Sequence, residues 1–133
     1  MSLQIGKAIY DILHSNTEIV AKLQDKIFPL IVDNTTTFPF IVYKRTGITP
    51  AYTKDRFSSN DTVTVDIIVA SEVYYESVEI ADLVRLALEG KRGTYSNIWI
   101  EDIRIISADE DFIEDTFIQT ITFNIITNGK YNS

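Results

Sequence analysis

A strand-like segment that leads almost directly into an amphipathic helix limits the folds open to this chain. In residues 62–70 apolar side chains alternate with more polar ones, which is typical of a half-buried β-strand. Residues 74–89 then place apolar side chains at helical spacing, and Gly90 follows as a C-terminal cap. Each element has an apolar face that needs a partner, so we expect the helix to lie flat on a sheet that contains this strand.

The helix carries a broad apolar face. We expect its buried residues to be Ser77, Ile80, Ala81, Val84, Ala87 and Leu88, with Leu83 and Leu86 widening the stripe. Acidic residues come early in this helix and basic residues late, as the helix dipole favours. The core contact should join Ile80, Val84 and Leu88 to the alternating strand residues, Val63, Val65, Ile67 and Val69.

The remaining apolar segments predict further helices and strands. Residues 3–13 have helical spacing, and Asn16 or Thr17 could cap a second short helix that ends at Leu23. Residues 27–29 indicate a short extended piece, and residues 38–46, 98–108 and 117–127 predict strands. We therefore expect one α+β domain, residues 1–127, and a flexible tail, residues 128–133. Its antiparallel or mixed sheet has four to five strands, with one long helix and an N-terminal helical segment packed on one face.

A long polar connection, residues 47–61, separates two of the predicted strands. It contains a mixture of aromatic and basic residues: Tyr52, Lys54, Arg56 and Phe57. Such residues stack on single-stranded nucleic acid and also occur in protein interfaces. A net charge of −7 favours protein contact. We predict a mobile interaction loop that contributes to assembly.

An acidic stretch joins the last two predicted strands as a hairpin. Its carboxylates are Asp109, Glu110, Asp111, Glu114 and Asp115. Hard cations such as Ca²⁺ bind several oxygen ligands on a turning backbone, but this stretch lacks the glycine of an EF-hand loop. We therefore interpret it as a charged contact turn rather than as a metal site.

The composition offers little for catalysis. The chain has no cysteine and only one histidine, His14, at the end of the first predicted helix. Glu76, Glu79 and Asp82 share one flank of the long helix, which a solvated surface explains. We assign no catalytic, cofactor or metal residue and see no signal peptide or membrane span. A ligand- or metal-binding module and a small cytosolic enzyme remain alternatives, and a pocket joining His14 to a carboxylate would favour the enzyme.

Several segments in order resemble one protein family. They are Ile27-Phe28-Pro29, residues 38–43, residues 63–71, the helix at residues 81–88, and the acidic turn with its final strand. In this pattern the chain resembles the tail-completion, or tail-to-head joining, proteins of long-tailed phages, which are similar in fold to the tail terminators of lambda-like phages. The likeness extends to about Thr127.

The resemblance implies a structural role rather than an enzymatic one. Such proteins form a ring, commonly of six subunits, that caps the tail tube and joins it to the head connector. The implied partners are further copies of this chain, the major tail protein and the head–tail connector protein, without sequence-specific nucleic acid or membrane. The implied locations are the bacterial cytoplasm during assembly and then the virion tail of a phage or prophage.

Overall fold

The structure, a computed structural model, describes residues 2–52 and 57–128. Within these residues the chain forms a mixed six-stranded sheet and three α-helices, preceded by a short 3₁₀ turn at Ser2–Gln4. The elements in chain order are α1 (Ile5–His14), α2 (Thr17–Leu23), β1 (Ile27–Pro29), β2 (Phe40–Tyr52), β3 (Phe57–Ser71), α3 (Tyr74–Leu88), β4 (Gly93–Tyr95), β5 (Ile98–Ile113) and β6 (Thr116–Asn128). None of the described helices is long and apolar enough to cross a membrane.

Two long hairpins form most of the sheet, whose strand order is β1-β2-β3-β6-β5-β4. β1 pairs parallel with β2, and every other neighbouring pair is antiparallel. The β2–β3 hairpin and the β5–β6 hairpin meet where β3 pairs with β6. Asn60 lies opposite Asn128 at one end of that pairing, and Ser71 lies opposite Phe117 at the other. The Tyr52–Phe57 pair of the first hairpin and the turn of the second therefore lie at opposite ends of the sheet.

One face of the sheet and the three helices enclose a single hydrophobic core. α1 contacts β1 and β2, α3 contacts β3 and β6, and α2 contacts both other helices. The predicted contact is confirmed, because α3 residues and the alternating β3 residues are all buried in one cluster: Ile80, Val84, Leu88, Val63, Val65, Ile67 and Val69. The face of the sheet that carries these β3 residues is called the core face below.

The opposite face of the central strands, called the polar face below, is held by side-chain hydrogen bonds. Thr64 Oγ1 donates to Asn124 Oδ1 at 2.9 Å, and Thr122 Oγ1 donates to Asp66 Oδ1 at 2.7 Å. All four residues are half-buried. Each bond joins β3 to β6, so the polar face reinforces the pairing that the core face also needs.

Sequence periodicity predicted the helices well. α3 ends within one residue of the expected position, and the Gly90 N–H, at a φ of 78°, donates to the Ile103 carbonyl at 2.8 Å. The predicted N-terminal helical segment comprises α1 and α2, and the Asn16 side chain caps α2 by accepting the Glu18 and Ile19 N–H groups. The expectation for Leu86 was wrong. It is 74% exposed, because it lies about 200° around the helix from Val84.

The predicted strand count of four to five is too low. The short extended piece at Ile27–Pro29 is a paired strand, β1, which accounts for the fifth. The sixth strand, β4 at Gly93–Tyr95, pairs with Ile98–Ile100. A three-residue strand that contains a glycine shows no alternation, so periodicity could not reveal it.

The prediction of a long loop at residues 47–61 was also wrong. β2 and β3 continue through most of it, with Ile48 opposite Val63, Pro50 opposite Asp61 and Tyr52 opposite Phe57. Polar composition suggested a loop, but a hairpin that is solvated on much of its surface can be polar and still pair its backbone. Lys54 and Arg56, together with residues 129–133 of the predicted tail, lie outside the described residues. Asn128, the first residue predicted for that tail, is instead the last residue of β6.

The core contact can be tested within α3. We expect Val84→Ala to lower the free energy of unfolding by about 1–3 kcal/mol, since Val84 is fully buried and its loss leaves a cavity. Leu86→Ala is the matched control on the same helix, and it should change stability by less than about 0.5 kcal/mol. Urea unfolding followed by circular dichroism measures both. Equal losses for the two variants would contradict this packing.

Candidate interaction surfaces

The described part of the chain shows no grouping suited to metal or acid–base chemistry. Among these residues no group of three or more His, Asp or Glu side chains is placed to hold a metal ion. The His14 ring stacks on Tyr10, with ring centroids 5.1 Å apart. A cleft of about 190 Å³ near the end of α1 is lined by Asp11 and Lys91 among others, but not by His14. The pocket that would have favoured an enzyme, one joining His14 to a carboxylate, is not formed there.

The three acidic residues on the flank of α3 also act separately. Glu76 accepts a hydrogen bond from Ser71 Oγ at 2.6 Å, just before the helix begins. Glu79 forms an exposed ion pair with Lys22 at 3.0 Å. Asp82 is exposed and borders a different groove. Glu76 and Glu79 therefore have separate local partners, and the three carboxylates do not converge as an acid–base pair.

The acidic stretch is a strand followed by a tight turn. Residues 109–113 belong to β5 and pair with β6, so only Glu114 and Asp115 form the turn. Both turn residues have positive φ values, 50° and 60°, as in a two-residue type I′ hairpin turn. The predicted hairpin is confirmed, although its strands are longer than expected.

Strand alternation sends the acidic side chains to different faces. Glu110 lies on the core face, where its Oε2 accepts hydrogen bonds from Tyr74 Oη at 2.9 Å and Gln119 Nε2 at 3.1 Å. Asp109 and Asp111 lie on the polar face, and both are exposed. Carboxylates divided in this way form a charged surface rather than a cation cage.

An aromatic cluster beside the acidic stretch was missed by sequence reasoning. The Tyr74 ring contacts Tyr75 and Phe117, with ring centroids 5.2 and 5.6 Å apart, and Phe112 contacts Phe117 at 4.7 Å. Tyr75 is 75% exposed and Phe112 is 54% exposed. The only sequence signal was the aromatic residues next to two polar segments, and only the fold brings these residues together. Exposed aromatic groups of this kind are enriched in protein interfaces.

The opposite edge of the sheet, formed by β1 and β2, carries basic and apolar groups. β1 pairs only with Ile41 to Tyr43, and the exposed residues Lys44 and Arg45 follow on β2. Arg45 Nη1 donates to the Leu3 carbonyl at 2.7 Å. Leu30 and Ile31, directly after β1, are exposed. Tyr52 and Phe57 pair at the far end of the same hairpin, so two of the four predicted interaction residues belong to strands rather than to a loop.

The contact between Tyr74 and Glu110 changes the pKa of Tyr74. The hydrogen bond to the Glu110 carboxylate, followed by its negative charge, raises the pKa of Tyr74 above its ordinary value of 10.0. A raised tyrosine pKa means that this contact stabilises the fold below pH 10 and that its contribution is lost as the pH rises through the folded-state value.

We expect Glu110→Gln to lower the pKa of Tyr74 towards 10.0, because the variant removes the neighbouring carboxylate charge. Nuclear magnetic resonance titration of the Tyr74 ring measures this. Glu79→Gln is the control, since Glu79 pairs with Lys22 and should leave the Tyr74 titration unchanged. An unchanged Tyr74 pKa in Glu110→Gln would show that the contact does not form in solution.

Comparison with known proteins identifies the family of this chain. Curated proteins give no match to this chain. Among solved structures, the chain is similar in fold to a protein in the "Virion of native gene transfer agent (GTA) particle", with a TM-score of 0.80, 15% identity and 92% of each chain covered. The profile of the family described as "Tail completion protein gp17" matches residues 7–128. The chain therefore belongs to the tail completion protein gp17 family.

Proposed function

We propose that this protein completes the tail of a phage or prophage particle, where several copies cap the tail tube as a ring and join it to the head connector. The observation that carries the proposal is the family match over residues 7–128, which spans the whole sheet and nearly all of α1. A ring of six is the expected form. The protein would assemble in the bacterial cytoplasm and remain in the virion tail.

The surfaces described above support a role in assembly. Exposed aromatic, apolar and charged groups lie at both edges of the sheet, whereas the described residues include no group of three or more His, Asp or Glu side chains placed to hold a metal ion. The structural relative belongs to a virion particle, which supports a structural role for a chain of the same fold. A net charge of −7 suits protein partners better than a sequence-specific nucleic-acid site.

Two groups of residues are the proposed contacts with other subunits, the major tail protein and the connector. The first comprises Tyr52 and Phe57, which pair at the end of the described β2–β3 hairpin, with Lys54 and Arg56 between them in the sequence. The second is the acidic hairpin: Asp109, Glu110, Asp111, Glu114 and Asp115. The two hairpins extend to opposite ends of the sheet, so one copy would present different contacts towards the tube and towards the head.

Loss of the protein tests the function directly. Cells that produce the particle without this chain should accumulate filled heads and unjoined tails, some of them abnormally long, because nothing ends the tube or links it to the head. Electron microscopy of lysates measures this, and wild-type protein supplied from a plasmid should restore complete particles. Normal tails joined to heads in the deletion strain would refute the proposal.

The hairpin end can be tested without removing paired strands. Replacing residues 53–56 by Asn-Gly gives Tyr52 and Phe57 a two-residue turn, which suits directly opposed strand residues. We expect the melting temperature to change by less than about 4 °C, since no strand pair is removed, and complementation of the deletion strain to be lost. Full complementation would exclude this segment, with Lys54 and Arg56, from the contact.

A further inference from the structure

The sheet has an open edge on each side, because its two outermost strands have only three residues each. Among the described residues, β1 covers β2 only from Ile41 to Tyr43, and β4 covers β5 only from Ile98 to Ile100. Both longer strands continue, β2 to residue 52 and β5 to residue 113. Exposed edges of this length are sites where another chain can pair or pack.

On the polar face, Lys44 makes the β2 edge basic and two aspartates make the end of the β5 edge acidic, whereas Arg104, earlier on β5, forms an ion pair with Asp102. One row of paired residues crosses the sheet on the polar face: Lys44, Asp66, Thr122 and Ser107. Lys44 therefore marks one end of this row. At the other end, Asp109 lies two residues beyond Ser107 on β5, and Asp111 lies four residues beyond it. Asp66, the neighbour of Lys44 in the row, accepts a hydrogen bond from Thr122.

Apolar groups accompany these charges on both edges. The Leu30 N–H donates to the Tyr43 carbonyl at 3.0 Å, which places Leu30 beside the start of the open β2 edge. Leu30 is 64% exposed and Ile31 is 80% exposed. On the β5 edge, the register shifts between Ile105 and Ser107 at the same level of the sheet, and the residue between them, Ile106, is 52% exposed.

We propose that each open edge binds the opposite edge of a second copy of this chain. The basic edge, Lys44 with Leu30 and Ile31, would contact the acidic edge, Asp109 and Asp111 with Ile106, of the next subunit. This inference rests on the proposed ring and identifies the surfaces that form it. A contact between two different surfaces is heterologous, and successive copies related by a closing rotation generate a ring.

The geometry of the strands fits such a contact. β2 and β5 run in opposite directions within one sheet, so they would meet antiparallel if the next copy keeps the same orientation. With no shift along the strands, Asp109 would lie at the level of Val42, which pairs with Phe28 of β1, so β1 would separate it from β2. A shift of four residues, from Phe40 to Lys44, instead places Asp111 opposite Lys44, where the side chains of an opposed pair are within contact distance. The register shifts between Arg45 and Gly47 on β2 and on either side of Ile106 interrupt the ladder at both edges. Side-chain contacts, rather than backbone hydrogen bonds between the two strands, would therefore form most of the interface.

Charge reversal on each edge provides the test. One variant is Lys44→Glu, and the other combines Asp109→Lys with Asp111→Lys. All three residues are exposed, so both variants should fold, which circular dichroism and thermal melting check. Lys7→Glu is the matched control, because Lys7 is an exposed lysine on α1, in the helical layer of the core face rather than on the polar face. Each protein is expressed in the deletion strain, and complete particles are counted.

We expect each charge-reversed variant alone to reduce complete particles by about 100-fold or more, because like charges replace opposite ones at every contact around the ring. Lys7→Glu should complement as wild type does. Co-expression of the two reversed variants should restore particles, since alternating subunits again place opposite charges together and an even-numbered ring closes. A single chain carrying all three reversals should also complement.

The outcomes separate this inference from the proposed function. If wild-type protein fails to complement, the proposed function is wrong, and the inference that rests on it is wrong as well. If wild type complements and either reversed variant complements alone, the edges are not the subunit contact. If both variants fail and neither co-expression nor the triple variant restores particles, the charges contact another component of the particle, and the inference is overturned while the tail-completion role stands.

Discussion

The pairing of β3 with β6 holds this protein together. Each long hairpin is local in sequence, but this pairing joins residues 60–71 to residues 117–128 and thereby unites the two hairpins. The entropy of closing so long a loop is offset by burial on the core face, where Val65 lies opposite Phe123 and Ile67 lies opposite Ile121. α3 connects the two hairpins along the chain and lies over their junction.

The same pairing gives the sheet two faces with different roles. The core face is covered by the helices, whereas the polar face is tied by the Thr64–Asn124 and Thr122–Asp66 hydrogen bonds. The exposed residues Lys44, Asp109 and Asp111 lie at the edges of the polar face. In the proposed ring, binding would cost less because the sheet already holds these side chains in position.

The structure also limits what the conspicuous sequence features can do. The sequence indicates a charged contact turn in the acidic stretch, and strand alternation turns Glu110 towards Tyr74 and the neighbouring aspartates towards the opposite face. His14, to which we assign no catalytic role, has its ring stacked on Tyr10. Proximity in sequence did not reveal the aromatic cluster, because that cluster joins residues of α3, β5 and β6.

The sequence by itself determined α3, the helical N-terminus, the alternating face of β3 and the family pattern, because these depend on periodicity and caps within short segments. Only the tertiary structure decided the strand order, the length of the hairpins and the existence of β4. These features depend on backbone pairing between distant residues, which local composition does not encode: residues 47–52 and 57–61 have a composition that suggests a loop and still pair as strands. The placement of Lys44 and Asp109 at opposite edges of one face arises in the same way, from register across four strands.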